Sequence, residues 1–195
     1  MRPAQIHPSL TPASLIPVLS AGCDDILREL RRVPLAYWTE GVFRFFIVRS
    51  LRAYMPELDC RTEWNHLDLV LFQPKGATLI ELKFFAANSL CDYTGKKLRM
   101  KGGPSKKNFD EYECAIEKLR TVRNAKWIMQ CGDIASAHLL LAYVDSQDSA
   151  KTFGRMYDGI ASDRTIRSVR TIRDRVLVRP ELNFTCKLIT VNVAT

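Results

Sequence analysis

The chain has 195 residues, 47% of them hydrophobic and 26% charged, the ordinary balance of a soluble globular protein with chain enough for one domain and a sizeable core. No apolar run approaches the roughly 18 residues of a membrane span, and the six scattered cysteines contain no C-x-x-C pair, which argues for reduced thiols rather than a disulfide framework or a zinc site. Twenty-nine Lys+Arg against 21 Asp+Glu give a net charge of +8, which suggests a polyanionic partner, although a solvated basic surface gives the same count.

The first 12 residues, with Pro3, Pro8 and Pro12, read as an extended arm. Helical turns follow through Leu15, Val18, Leu19, Ile26, Leu27 and Leu30, with Asp24 or Asp25 near a helix start and Pro34 at the end. Within this region SLIPVLSAGC only faintly resembles a secretory h-region. Arg2 is its single preceding cation and Pro17 interrupts it, so a cytoplasmic protein is expected. A clearer helix spans about Thr39 to Tyr54, with Thr39 as cap and Val42, Phe43, Phe46, Ile47 and Leu51 at helical spacing. Glu40, in its first turn, points toward the buried side. Stabilisation of the helix dipole is the plain account of an acid there.

Three strands come next, about Leu58 to Trp64 and then the two arms of Leu67 to Phe85 around Gln73-Pro74-Lys75-Gly76. The stretch Ala86 to Ser105 reads as a loop rich in Gly and Lys. From Tyr93 to Phe109 it and the following turn carry Lys96, Lys97, Arg99, Lys101, Lys106 and Lys107 and no acid. Its spacing is not that of a Walker loop, but flexible N–H groups and cations ahead of a helix suit a phosphate, as they also suit solvent. A helix from about Asn108 to Arg123 presents Phe109, Tyr112, Ile116 and Leu119, and Asn108 with Glu111 forms a capping-box-like start. A buried strand is expected at His138–Val144, a helix at Asp148–Ile160 and a closing strand at Phe184–Val193. Between the last two, Arg164, Arg167, Arg170 and Arg173 recur every third residue. That period leaves helix and strand undecided, and the arginines suit either a phosphate backbone or a solvated face.

The Leu67–Phe85 hairpin carries three charges in an otherwise apolar ribbon: Asp68, Glu81 and Lys83. Pairing Gln73 with Thr78 sets Asp68 opposite Lys83 and Val70 opposite Glu81, so all three charges share one face. The other face is then Leu67, Leu69 and Leu71 against Phe84, Leu82 and Ile80. Charges on an apolar sheet are costly unless paired or bound to a metal. A cross-strand ion-pair ladder is one account. The other is phosphodiester chemistry, which needs hard oxygen ligands for a divalent cation and a positive group beside the phosphate. An E-x-K triplet arises by chance about once in a chain of this length. Its context therefore carries the reading: strand, facing acid, Glu-bearing helix upstream and basic loop downstream.

Asp68 followed by Glu81-Leu82-Lys83 resembles the D…(D/E)-x-K signature of the PD-(D/E)XK, or restriction-endonuclease-like, nucleases. The resemblance covers about Thr39 to Val144. It implies an α/β fold in which a central mixed β-sheet is flanked by helices, an αβββαβ core at about 39–145, with a helical arm at 1–38 and an extension at 146–195, all in one domain. It further implies a Mg²⁺-dependent nuclease, with Mn²⁺ as a substitute ion. Asp68, Glu81 and the Leu82 carbonyl would ligate the metal, Lys83 would assist the nucleophile, and Glu40 would match the helix glutamate used by part of the family. The expected partner is nucleic acid, DNA before RNA, bound in part by the basic loop, and a homodimer would suit double-strand cleavage. Leu67 stands where the name-giving proline would be. The second helix, where Lys107 and Tyr112 lie, lacks a Gln-x-x-x-Tyr element. A non-catalytic nucleic-acid-binding relative and a partner-regulating protein are the rival functions.

Overall fold

The computed structural model describes residues 10–74, 76–86, 89–91, 97–99, 104–147, 151–180 and 182–194. A six-stranded mixed sheet forms the middle layer, in the order β1-β2-β3-β6-β8-β7. Its strands are β1 (Asp59–Trp64), β2 (Leu67–Gln73), β3 (Gly76–Ala86), β6 (Ile134–Ser146), β7 (Ile166–Arg179) and β8 (Leu182–Val191). Only β3 and β6 run parallel; the remaining neighbours are antiparallel. The expected α/β class with helices flanking a mixed sheet is therefore observed.

One face of the sheet is covered by α1 (Pro12–Leu30) and α2 (Glu40–Tyr54), the other by α3 (Lys106–Arg120) and the short α4 (Phe153–Tyr157). The strand period of two produces this double core. In β6, Leu140, Ala142 and Val144 pack toward α1 and α2, while Leu139, Leu141 and Tyr143 pack toward α3 and α4, all at 0–1% exposure. Eight consecutive buried residues make β6 the central strand, as its parallel pairing on one side requires. The segments expected to lie outside the core supply α1 and two of the six strands.

Several expectations are corrected. The first helix is one unbroken element. Thr11 caps it with a reciprocal Ser14 hydrogen bond, and Pro12 opens it where a missing N–H costs nothing. Asp24 and Asp25 are mid-helix rather than at a start, and pair with Arg173 of β7 and with Arg28 and Arg49. Of the proposed proline-rich arm, residues 1–9 lie outside the described residues. The stretch read as a loop after β3 contains a two-stranded hairpin, β4 (Ser89–Cys91) with β5 (Lys97–Arg99). The α3 helix begins two residues earlier than expected because Ser105, not Asn108, is the cap, its Oγ accepting the Asn108 N–H. Of the helix expected at Asp148–Ile160, residues 148–150 lie outside the described residues and the helical part of the remainder is α4; the arginine-rich stretch, left undecided between helix and strand, is a strand. Its pairing with β8 has four register irregularities.

Candidate active site

The α2 helix and the β2–β3 hairpin bring the four predicted residues to one region. Thr39 caps α2 as expected, accepting from the Val42 N–H at 3.3 Å, and so fixes Glu40 in the first turn. The hairpin register differs from the predicted one by two residues. Gln73 pairs with Gly76, not Thr78, and the ladder runs through Leu71–Thr78 to Leu69–Ile80. A shift of two preserves side-chain parity, so Glu81 and Lys83 keep a common face, but Asp68 is not opposite Lys83. Leu67 also departs from expectation. It packs in the α3-side cluster, whereas Leu69 and Leu71 pack with α1 and α2.

Beyond Leu69–Ile80 the edge of β3 meets carboxylates instead of a strand. Asp68 Oδ2 accepts the Leu82 N–H at 2.8 Å, and the Phe84 backbone lies close enough to the Glu40 carboxylate to offset part of the effect of its burial. In a strand the N–H and C=O of one residue point to the same neighbour. The Leu82 carbonyl therefore opens on the side where Asp68 lies, as a metal ligand at that position would need.

Each acid also carries a cation. Lys83 Nζ lies 3.3 Å from Glu40 Oε2, Arg44 Nη1 2.9 Å from Asp68 Oδ1, and Lys118 Nζ 2.8 and 2.9 Å from the two oxygens of Glu81. Lys118 also donates to the His66 carbonyl, and Arg44 to Glu63. Burial raises Glu81 above the usual carboxylate range, opposed by the Lys118 hydrogen bond and reinforced by the Asp68 charge. Burial raises Glu40 too, with Lys83 opposing and Asp68 reinforcing. The four predicted residues thus form one electrostatic unit. Among the described residues, no group of three or more His, Cys, Asp or Glu side chains is placed to hold a metal ion.

A shallow cleft of about 330 Å³ opens beside this unit, walled by Glu81, Lys83, Lys107, Glu111, Cys114 and Lys118. A roomier apolar cavity, about 510 Å³, lies at the turn end of β2 among Leu10, Tyr54, Leu58 and Phe72 and contains none of the four predicted residues. Of the basic residues assigned to nucleic acid, Lys106 and Lys107 are exposed in the first turn of α3, with Lys107 3.7 Å from Glu111. Lys97 and Arg99 fall in β5, and Lys96 and Lys101 lie outside the described residues. Sequence reasoning missed Arg44 and Lys118. Arg44 sits one turn after Glu40, and Lys118 one turn after Cys114 on α3. A cation on each helix at the level of a predicted acid was the available signal.

No protein-family model matches the chain, and comparison with curated proteins and with solved structures gives no significant match. No helix among the described residues is long and apolar enough to cross a membrane.

Proposed function

We propose that the protein is a divalent-metal-dependent nuclease that hydrolyses phosphodiester bonds, of DNA before RNA, and that its core is restriction-endonuclease-like. The observation that carries this reading is the convergence at the open edge of β3 of Asp68, seated on the Leu82 N–H, and Glu40, paired with Lys83, with Glu81 beside them. The element order α2, three-strand meander, α3, parallel β6 supports the fold half of it. Mg²⁺ is commonly held by one or two carboxylates, with water and substrate phosphate completing its shell. Asp68, Glu81 and the Leu82 carbonyl fit that donor set without a third side chain, and Mn²⁺ would fit likewise. When bound, such an ion supplies charge neutralisation and an acidified water.

The chain's own groups do the rest. Glu40 holds the Lys83 ammonium at the site, where a fixed cation offsets charge developing on the phosphate. Arg44 orients Asp68 through one oxygen while the Leu82 N–H holds the other. Lys107 offers positive charge at the cleft rim, and a substrate strand lying there would meet α3 by its N-terminal end, where Lys106 also lies. Incubation with plasmid, linear duplex, single-stranded DNA and RNA tests the reading. Cleavage is expected with Mg²⁺ or Mn²⁺, none with chelator, and at least ~100-fold less for Lys83→Ala and Glu81→Gln. Undiminished cleavage by Lys83→Ala overturns it.

A second reading rests on the three cation–carboxylate pairs themselves. They tie α2 and α3 to the sheet and leave no unpaired acid among Glu40, Asp68 and Glu81, as a structural ion-pair set in a non-catalytic nucleic-acid-binding or partner-regulating protein would. That protein would cut nothing, and any nucleic-acid binding would depend on salt but not on metal.

A further inference from the structure

Lys118 is the residue at the site whose role the predicted chemistry does not supply. Its ammonium touches both oxygens of Glu81 and the His66 carbonyl, so all three of its protons have acceptors. The pair is lopsided in burial: the Glu81 side chain is 8% exposed, that of Lys118 35%. A carboxylate so deeply placed needs a compensating cation, and the other lysine near it, Lys83, is engaged by Glu40. The solvent-facing member of the pair is a compact charge on a flexible four-carbon stem, which can withdraw without moving the helix. Arg44 on Asp68 is different, since it is anchored at both ends by Asp68 and Glu63 and its side chain is 21% exposed.

We propose that Lys118 is a positioning residue that holds Glu81 in the metal-free protein, yields it to a divalent cation, and then turns into the cleft to meet the substrate phosphate. This rests on the nuclease reading above. An ammonium and a doubly charged ion on the same carboxylate repel each other strongly in a partly dehydrated site. Lys118 therefore leaves when Glu81 becomes a ligand, and the space it faces is the 330 Å³ cleft that it walls together with Lys83 and Lys107. Its charge then sits where a phosphate enters. The exchange keeps Glu81 neutralised in both states, and it ties the clustering of cations at the cleft to occupancy of the metal site.

The test is calorimetric titration with Mn²⁺ of wild type, Lys118→Gln, Lys118→Met and Glu81→Gln, each first checked for a cooperative thermal melt, so that either folded Lys118 variant serves. Removal of the competing ammonium is expected to tighten Mn²⁺ binding about tenfold, whereas Glu81→Gln weakens it by at least about tenfold. With saturating Mn²⁺, the Lys118 variants are expected to bind a nuclease-resistant oligonucleotide more weakly, with a salt slope smaller by about one, and to match wild type when Mn²⁺ is left out. A purely structural Lys118 would not tighten metal binding. Lys118 variants that bind Mn²⁺ no more tightly than wild type overturn the exchange and leave the nuclease reading standing. Absence of Mn²⁺ binding in wild type and variants alike overturns both.

Discussion

His138 shows how a titratable residue is spent on the core. It is wholly buried in β6, with Nδ1 3.1 Å from the Thr190 hydroxyl and Nε2 2.9 Å from that of Ser136. Ser136 continues to Thr78 and Gln73, so a hydrogen-bonded polar line crosses four neighbouring strands. Burial lowers its pKa to about 4. For a base held below its unfolded value, the stabilisation is complete above about pH 6.5 and is lost as pH falls toward 4, a loss of about 3 kcal/mol in all. Glu40 and Glu81 act oppositely. Their raised pKa values favour the folded state at lower pH and cost stability as pH rises. The His138 effect is therefore best separated by following its ring in an NMR titration. The ring is expected to stay neutral at pH 5.5, while urea unfolding shows stability falling from pH 6.5 to 4.

At the scale of elements, the hairpin register decides where the acids stand, and Gly76 decides the register. Its φ of +127° is open to glycine and strained for other residues. Its missing side chain lets the chain pass the start of β6, where the Ala77 N–H donates to the Asp133 carbonyl at 2.7 Å. A Cβ there would collide with that same carbonyl. Gly76→Ala is expected to destabilise the fold by about 2–4 kcal/mol, measurable as a lowered denaturant midpoint, from backbone strain and displacement of β6 together. The pairing expected from the sequence used Gly76 as part of a four-residue turn. It failed because the contact that draws Gly76 into β3 comes from Asp133, far along the chain.

At the scale of the molecule, the excess charge of +8 is unevenly used. Among the described residues, Arg44, Lys83, Lys118, Arg173, Arg175 and Lys187 are committed to acids, several linking a helix to the sheet. Arg164, Arg167 and Arg170, on and just before edge strand β7, pair with no acid among the described residues. Cations left over in this way attract a polyanion at long range. Oligonucleotide binding is accordingly expected to weaken at least ~10-fold between 50 and 200 mM salt, measured by fluorescence anisotropy. A flat response would tie the surplus charge to solvation alone.

Local chemistry was enough to read the Thr39 cap, five strands of the main sheet and the candidate acids. Thr39 before an apolar stripe, the unbroken run of β6, and Asp68 with Glu81 and Lys83 on a hairpin are signals carried by a few adjacent residues. The arginine-rich β7 was illegible because a three-residue period fits neither a regular strand nor a helix uniquely, and its irregular ladder exists only once β8 lies beside it. The cations on the acids were illegible for a related reason. Arg44 meets Asp68 across 24 residues and Lys118 meets Glu81 across 37, distances that only the packing of α2 and α3 on opposite faces of the sheet closes. The sequence by itself determined that Glu40 opens a helix and that Asp68, Glu81 and Lys83 stand on a hairpin, since strand and helix periods follow from neighbours in the chain. The tertiary structure alone decided which charge stands next to which, because a charge pair depends on separation in space and the low dielectric around it, and both are set by the assembled layers.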